Sequence, residues 1–126
     1  MKIREIMRTP VIAVKPTETI GKALKIMDKE RIHGTPIIND ENRLLGIIVK
    51  ADIYRFLMDP GHYESCPVEW VMTKEVIKAD VDEDIIAVAK RLRAKNVIAL
   101  PIVEGDTLVG IVSIEDIVDY FLEGNK

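Results

Sequence analysis

Apolar residues recur at helical spacing in two places along the chain. Ile20, Ala23, Leu24 and Met27 fall at i, i+3, i+4 and i+7, and Ile85, Val88, Ala89 and Leu92 repeat that spacing further on. Each stripe predicts an amphipathic helix with one buried face. Capping residues lead into both, Lys15-Pro16-Thr17-Glu18-Thr19 and Asp80-Val81-Asp82-Glu83-Asp84. Short apolar runs flank the helices and read as strands. Val11 to Val14 and Val76 to Ala79 come before; Pro36-Ile37-Ile38 and Pro101-Ile102-Val103 follow. Polar turns, Asn39-Asp40-Glu41-Asn42 and Glu104-Gly105-Asp106-Thr107, then suit hairpins. A third strand, Leu44 to Val49 or Leu108 to Val112, is almost wholly apolar, as expected when both faces are covered. A short closing helix ends each series.

The two series are copies. Ile6-Met7 recurs as Val71-Met72, Glu18 as Glu83, Ile20 as Ile85 and Pro36-Ile37 as Pro101-Ile102, all at an offset of 65 residues. One deletion in the second hairpin turn shortens the offset to 64, which pairs Gly46-Ile47 with Gly110-Ile111 and Asp52-Ile53 with Asp116-Ile117. Internal repetition of this kind governs how every motif is read. Repeat 1 spans 1–60, repeat 2 spans 68–126, and the Pro-, Gly- and Ser-rich 61–67 is a linker. Neither half, at about 60 residues, buries much core alone, so one pseudo-two-fold unit is expected.

The stretch Gly110-Ile111-Val112-Ser113-Ile114-Glu115-Asp116 carries the chemistry. It reads as a buried strand running straight into a helix, with Ser113 at the junction. A helix N-terminus offers unpaired N–H groups and a partial positive charge, a natural seat for phosphate. Ser113 adds a hydroxyl there, and Asp116 a carboxylate able to accept from a pair of sugar hydroxyls. Ser-x-x-Asp is equally a capping box, in which the two side chains satisfy helix donors and nothing else. In the first copy the motif is Gly46-Ile47-Ile48-Val49-Lys50-Ala51-Asp52. Val49 is a poor cap, yet the acid is retained. A helix dipole alone favours an acid in the first turn, so both readings stay open.

Composition narrows the classes. The charged fraction is 31%, the apolar fraction 48% and the net charge −3, which disfavours a nucleic-acid groove or an anionic membrane surface. No apolar stretch reaches a membrane span, and the N-terminus has no apolar signal core, so a cytoplasmic protein is expected. The lone Cys66 excludes an internal disulfide framework. Two histidines and one linker cysteine assemble no nucleophilic set, and no glycine-rich phosphate loop is present. No enzyme activity is expected. His62 and Cys66 have metal-like spacing, but Pro60-Gly61 and Pro67 argue against a helix there, and two ligands fall short of four. Trp70 is expected to be a core or interface anchor.

The order of elements, Val68-Glu69-Trp70-Val71-Met72, Pro101-Ile102-Val103 and the Gly110–Asp116 motif together resemble a pair of CBS (cystathionine beta-synthase) domains, a Bateman module. The resemblance covers essentially the whole chain. It implies an α/β (α+β) fold of two pseudo-symmetric β-α-β-β-α repeats packed sheet to sheet. It also implies an adenosyl ligand (AMP, ADP, ATP or S-adenosylmethionine) between the repeats, with no cofactor and no metal. The family's Asp holds the ribose and its Ser or Thr meets the phosphate. The first strand and the loop before the Pro-led strand enclose the base. Carried over, Ser113 and Asp116 would work with Met7, Thr9, Pro10, Val11 and Ile12, and with His33, Gly34, Thr35 and Pro36. The second cleft would use Asp52 with Thr73, Val76 and Ile77, and with Ile98, Ala99, Leu100 and Pro101. Lys50 stands beside Val49 and could contact phosphate in place of the missing hydroxyl.

Losing one hydroxyl to a charged phosphate costs ~1.5–3 kcal/mol, about tenfold to a hundredfold in affinity, so the two clefts are expected to be unequal. Ligand would reorient the repeats and alter a surface that an unidentified effector protein reads. A homodimer through the helices is implied as well. Two other readings remain: a constitutive dimerising scaffold with vestigial clefts, and a DNA-associated regulator, which the charge disfavours.

Overall fold

Thr19 and Asp84, equivalent positions in the two repeats, turn their side chains onto the helices that follow. Thr19 Oγ1 accepts from Lys22 N at 3.1 Å and Asp84 Oδ2 from Ile86 N at 2.9 Å, each satisfying a donor the helix cannot pair internally. At the far ends Arg31 and Asn96 both adopt the left-handed conformation that stops a helix. The computed structural model describes residues 1–123, a mixed α/β chain with two sheets and four helices. The last three residues of repeat 2 as read from sequence, 124–126, lie outside the described residues.

The chain divides into two compact units that are not the two repeats. One is Ile12–Val76; the other joins Met1–Val11 to the chain from Ile77 onward. The first holds α1 (Ile20–Glu30), β1 (Gly34–Ile38), β2 (Leu44–Val49) and α2 (Lys50–Leu57). β1 and β2 form an antiparallel pair, Pro36 opposite Ile47 and Gly34 opposite Val49. The second unit holds β3 (Ala79–Asp80), α3 (Ile85–Lys95), β4 (Ala99–Glu104), β5 (Thr107–Ser113) and α4 (Ile114–Glu123). Its sheet order is β3-β4-β5, parallel then antiparallel, with Pro101 opposite Ile111. Both hairpins fall where the polar turns place them. No residue of β2 or β5 is fully exposed.

The division departs from the repeats because each repeat's opening segment packs into the other repeat's core. Ile3 is buried with Val88, Leu92 and Ile102, whereas its equivalent Val68 is buried with Met27, Ile37 and Ile48. Each segment also feeds a helix start: Met1 O accepts from Ile85 N and Cys66 O from Ile20 N, both at 2.9 Å. Burial of one such aliphatic side chain stabilises by about 1.5–3 kcal/mol, so the exchange is anchored by packing as well as by backbone bonds. Residues 61–67 contain no helix or strand, yet Glu64 O accepts from Gly21 N at 2.9 Å. They lie along the first unit rather than standing free. Trp70 belongs to a short 3-10 turn, Val68–Trp70, and is 64% exposed. It is not a core residue; Val68 takes that role.

The opening strands are shorter than the pattern predicts. Val11 to Val14 contracts to a single parallel bridge between Val14 and Ile37, and Val76 to Ala79 forms strand only at Ala79–Asp80. The difference between the copies is covalent. Val81 N donates to Val103 O at 3.0 Å and extends the pairing. The equivalent residue in the first copy is Pro16, which has no N–H to give.

Candidate functional site

β5 passes into α4 without an intervening turn, so Ser113 closes the strand and Ile114 opens the helix. The two polar side chains of the motif reciprocate. Ser113 N donates to Asp116 Oδ2 at 2.8 Å, and Asp116 N donates to Ser113 Oγ at 3.2 Å. That is the capping-box arrangement. The other carboxylate oxygen, Oδ1, accepts from Arg8 Nε at 2.7 Å. The Asp116 side chain is only 9% exposed, whereas Arg8 is 64% exposed. A buried carboxylate fixed on two sides thus faces an arginine that is largely in solvent.

Backbone pairing delivers Arg8 to this position. Arg8 N donates to Ile111 O at 2.8 Å and Ile111 N to Arg8 O at 3.2 Å. Met7 lies flat on the strand at Gly110, where an added Cβ would sit 2.5 Å from its Sδ. The first unit repeats the scheme with Thr73 bonded to Ile47 in both directions, at 2.8 and 2.9 Å. There Gly46 leaves room for the Thr73 carbonyl, which would lie 2.7 Å from a Cβ. The motif glycines are explained by these approaches.

The remaining site residues divide between the units. In the second unit Ile98 O accepts from Ile114 N at 2.8 Å, so the loop before β4 meets the start of α4. Leu100 and Pro101 are buried in β4, Ala99 and Ile77 are half-buried, and Thr9, Pro10 and Ile98 are exposed beside the half-buried Val11. In the first unit His33 O accepts from Lys50 N at 2.8 Å, the same join at the start of α2. Thr35, fully buried, donates through Oγ1 to Ile12 O at 2.9 Å and ties the segment before α1 to β1. Gly34 and Pro36 flank it on β1; Ile12, His33 and Thr73 are exposed and Val76 half-buried.

The first copy's acid sits differently. Val49 provides no side-chain cap, and Asp52 pairs with Arg55 on its own helix. Lys50 Nζ contacts Asp28 Oδ1 at 2.5 Å, and that hydrogen bond raises the ammonium pKa. Arg8, Arg55 and Asp28 were not singled out from sequence. The one available signal was Arg8 standing directly after Met7 where the other copy has Thr73.

A depression of about 330 Å³ beside Asp116 is lined by Ile6, Asp119, Tyr120 and Glu123 as well. Asp116 is its only lining residue from the predicted set. Its three carboxylates make it a poor seat for an anion. Among the described residues no group of three or more His, Cys, Asp or Glu side chains could hold a metal ion, and no helix is long and apolar enough to cross a membrane.

The duplicated architecture, the exchanged opening segments and the Ser113–Asp116 junction define a tandem of one domain type. The CBS domain profile matches residues 3–59 and again 68–123, and the chain belongs to the CBS domain family. The chain is 33% identical over 116 residues to homoserine O-acetyltransferase of Methanococcus vannielii, covering 91% of this chain and 24% of that protein. It thus spans about a quarter of that relative's length. Among solved structures, the CBS domain pair of protein MJ0100 in complex with 5-methylthioadenosine and S-adenosyl-L-methionine matches with a TM-score of 0.84 at 31% identity, over 100% of this chain and 98% of that one. CBSX2 in complex with AMP shares the fold, with a TM-score of 0.89 at 21% identity, over 99% and 98% of the two chains.

Proposed function

We propose that the chain is a regulatory module that binds an adenosyl ligand, an adenine nucleotide or S-adenosylmethionine, and signals the occupancy to an effector protein. The observation that carries this reading is the buried Asp116 carboxylate, fixed at the strand-to-helix junction of a CBS pair. It is supported by the 31% identical MJ0100 pair, whose structure holds two adenosyl compounds. In this reading Asp116 accepts from the ribose hydroxyls and Ser113 meets the phosphate. Thr9 to Val11 border this site, and Asp52 and Lys50, with Thr73 and Val76, belong to the other copy's weaker one. The module works as a homodimer whose two-state geometry the ligand biases. It performs no catalytic step: what the acetyltransferase relative shares is this module, a quarter of its length.

A second reading, a constitutive scaffold without ligand, draws on one observation. Both Asp116 oxygens already have protein partners. A thermal-shift panel of AMP, ADP, ATP, S-adenosylmethionine and GMP on the wild type and on Asp116→Ala separates the two. A ligand at a hundred times its dissociation constant adds roughly 2.7 kcal/mol to the native state. The expected result is a rise in melting temperature with an adenosyl ligand, absent in Asp116→Ala. No rise with any of the five establishes the scaffold reading.

A further inference from the structure

Ligand and Arg8 compete for one oxygen. Asp116 Oδ2 is committed to Ser113 N, and Oδ1 to Arg8 Nε. A ribose hydroxyl approaching Oδ1 meets an acceptor already paired with a guanidinium, which brings a positive charge that the hydroxyl lacks. Arg8 is the partner free to move. Its backbone is pinned to Ile111 and the adjacent Met7 is pressed on Gly110, but its side chain is 64% exposed. Its two terminal nitrogens have no protein partner among the described residues. A guanidinium presents five donors, so four remain for an anion. Asp119 and Glu123 line the depression next to Asp116. A phosphate brought near these carboxylates needs a cation, and Arg8 is the cation paired there.

We propose that Arg8 is the selector of the Ser113–Asp116 site: it holds Asp116 closed against uncharged ribosyl ligands and turns its guanidinium to the phosphate of anionic ones. This deepens, and rests on, the adenosyl-ligand reading above. Selection belongs to this site only. The equivalent of Arg8 in the other copy is Thr73, which carries no charge, and Asp52 is paired instead within its own helix.

Adenosine and AMP differ only in the phosphate, so their affinities read the selector directly. Isothermal titration with both ligands is run on the wild type, Arg8→Gln, Arg8→Lys and Asp116→Asn, with a melting curve of each to verify folding. Arg8→Gln is expected to bind adenosine several-fold more tightly and AMP about tenfold more weakly, the loss expected of one charged hydrogen bond. Arg8→Lys keeps the charge and most of the preference for AMP. Equal factors for the two ligands in Arg8→Gln, with binding abolished in Asp116→Asn, overturn the selector and leave the site standing. No binding of either ligand to any form overturns the site and the selector together.

Discussion

The motif glycines give a sharp test because the two copies crowd them with different atoms. Gly110→Ala places a Cβ 2.5 Å from Met7 Sδ, 2.8 Å from its Cγ and 3.1 Å from its Cβ. Gly46→Ala places one 2.7 Å from the Thr73 carbonyl oxygen and 3.1 Å from Met72 Sδ. Overpacking of this kind costs about 1–3 kcal/mol, against a gain of some tenths from replacing a strand glycine. For a chain of this length that is a fall of roughly 4–12 °C in melting temperature. The rescue differs. Met7→Ala removes Sδ and Cγ, so in that background Gly110→Ala is expected to cost less than about 1 kcal/mol. Met72→Ala leaves the Thr73 carbonyl where two backbone bonds to Ile47 hold it, so Gly46→Ala keeps its full cost. Urea midpoints across both double-mutant cycles measure the couplings. If Gly110→Ala costs the same with and without the Met7 side chain, the close approach of Met7 is not the reason for that glycine.

Two further outcomes follow from single contacts. Thr35→Val removes the hydroxyl that pairs the part-buried Ile12 carbonyl, so it is expected to destabilise by about 0.5–1.5 kcal/mol; chemical denaturation measures it, and no measurable cost overturns the assigned bond. The Arg91 guanidinium, bonded to Glu83 at 2.5 and 2.9 Å, holds that carboxyl below its ordinary range against the opposing effect of burial. A depressed folded pKa contributes stability that is present above the unfolded value and lost as pH falls through the folded one. Glu83→Gln is therefore expected to flatten the acid limb of the stability curve, costing roughly 0.5–1 kcal/mol at neutral pH and little at pH 3. An unchanged slope between pH 3 and 6 refutes it.

Helical spacing placed α1 and α3 well, because the residues at Ile20, Ala23 and Met27, or Ile85, Val88 and Leu92, are the ones the fold buries. The hairpins were legible from their polar turns for the same reason: local chemistry decides them. The exchange of opening segments was not, since Ile3 and Val68 are equivalent and equally apolar, and no local pattern says whose core each enters. Charge partners were illegible on similar grounds. Arg8 and Asp116 are 108 residues apart, and only the pairing of Arg8 with Ile111 brings them together. Pro16 is the instructive intermediate case. Its missing N–H was visible in the sequence, but its effect on β pairing appears only against Val81 in the other copy.

The two readings of Ser-x-x-Asp, cap and ligand seat, use different parts of the same groups. As a cap, Ser113 Oγ acts only as an acceptor, from Asp116 N, which leaves its hydroxyl proton for a ligand. Asp116 Oδ2 serves the cap and Oδ1 faces Arg8. The cap therefore holds both side chains in one orientation with one donor and one acceptor aimed outward, and a site whose side chains are locked before binding loses less entropy when it binds. Val49 allows neither part of this in the first copy: it offers no hydroxyl to a phosphate and no oxygen to Asp52 N. Asp52 is left to Arg55, and Lys50, which follows Val49 in the chain, is already held by Asp28. In the function proposed above, the inequality of the two sites thus comes from the loss of a cap as much as from the loss of a phosphate contact.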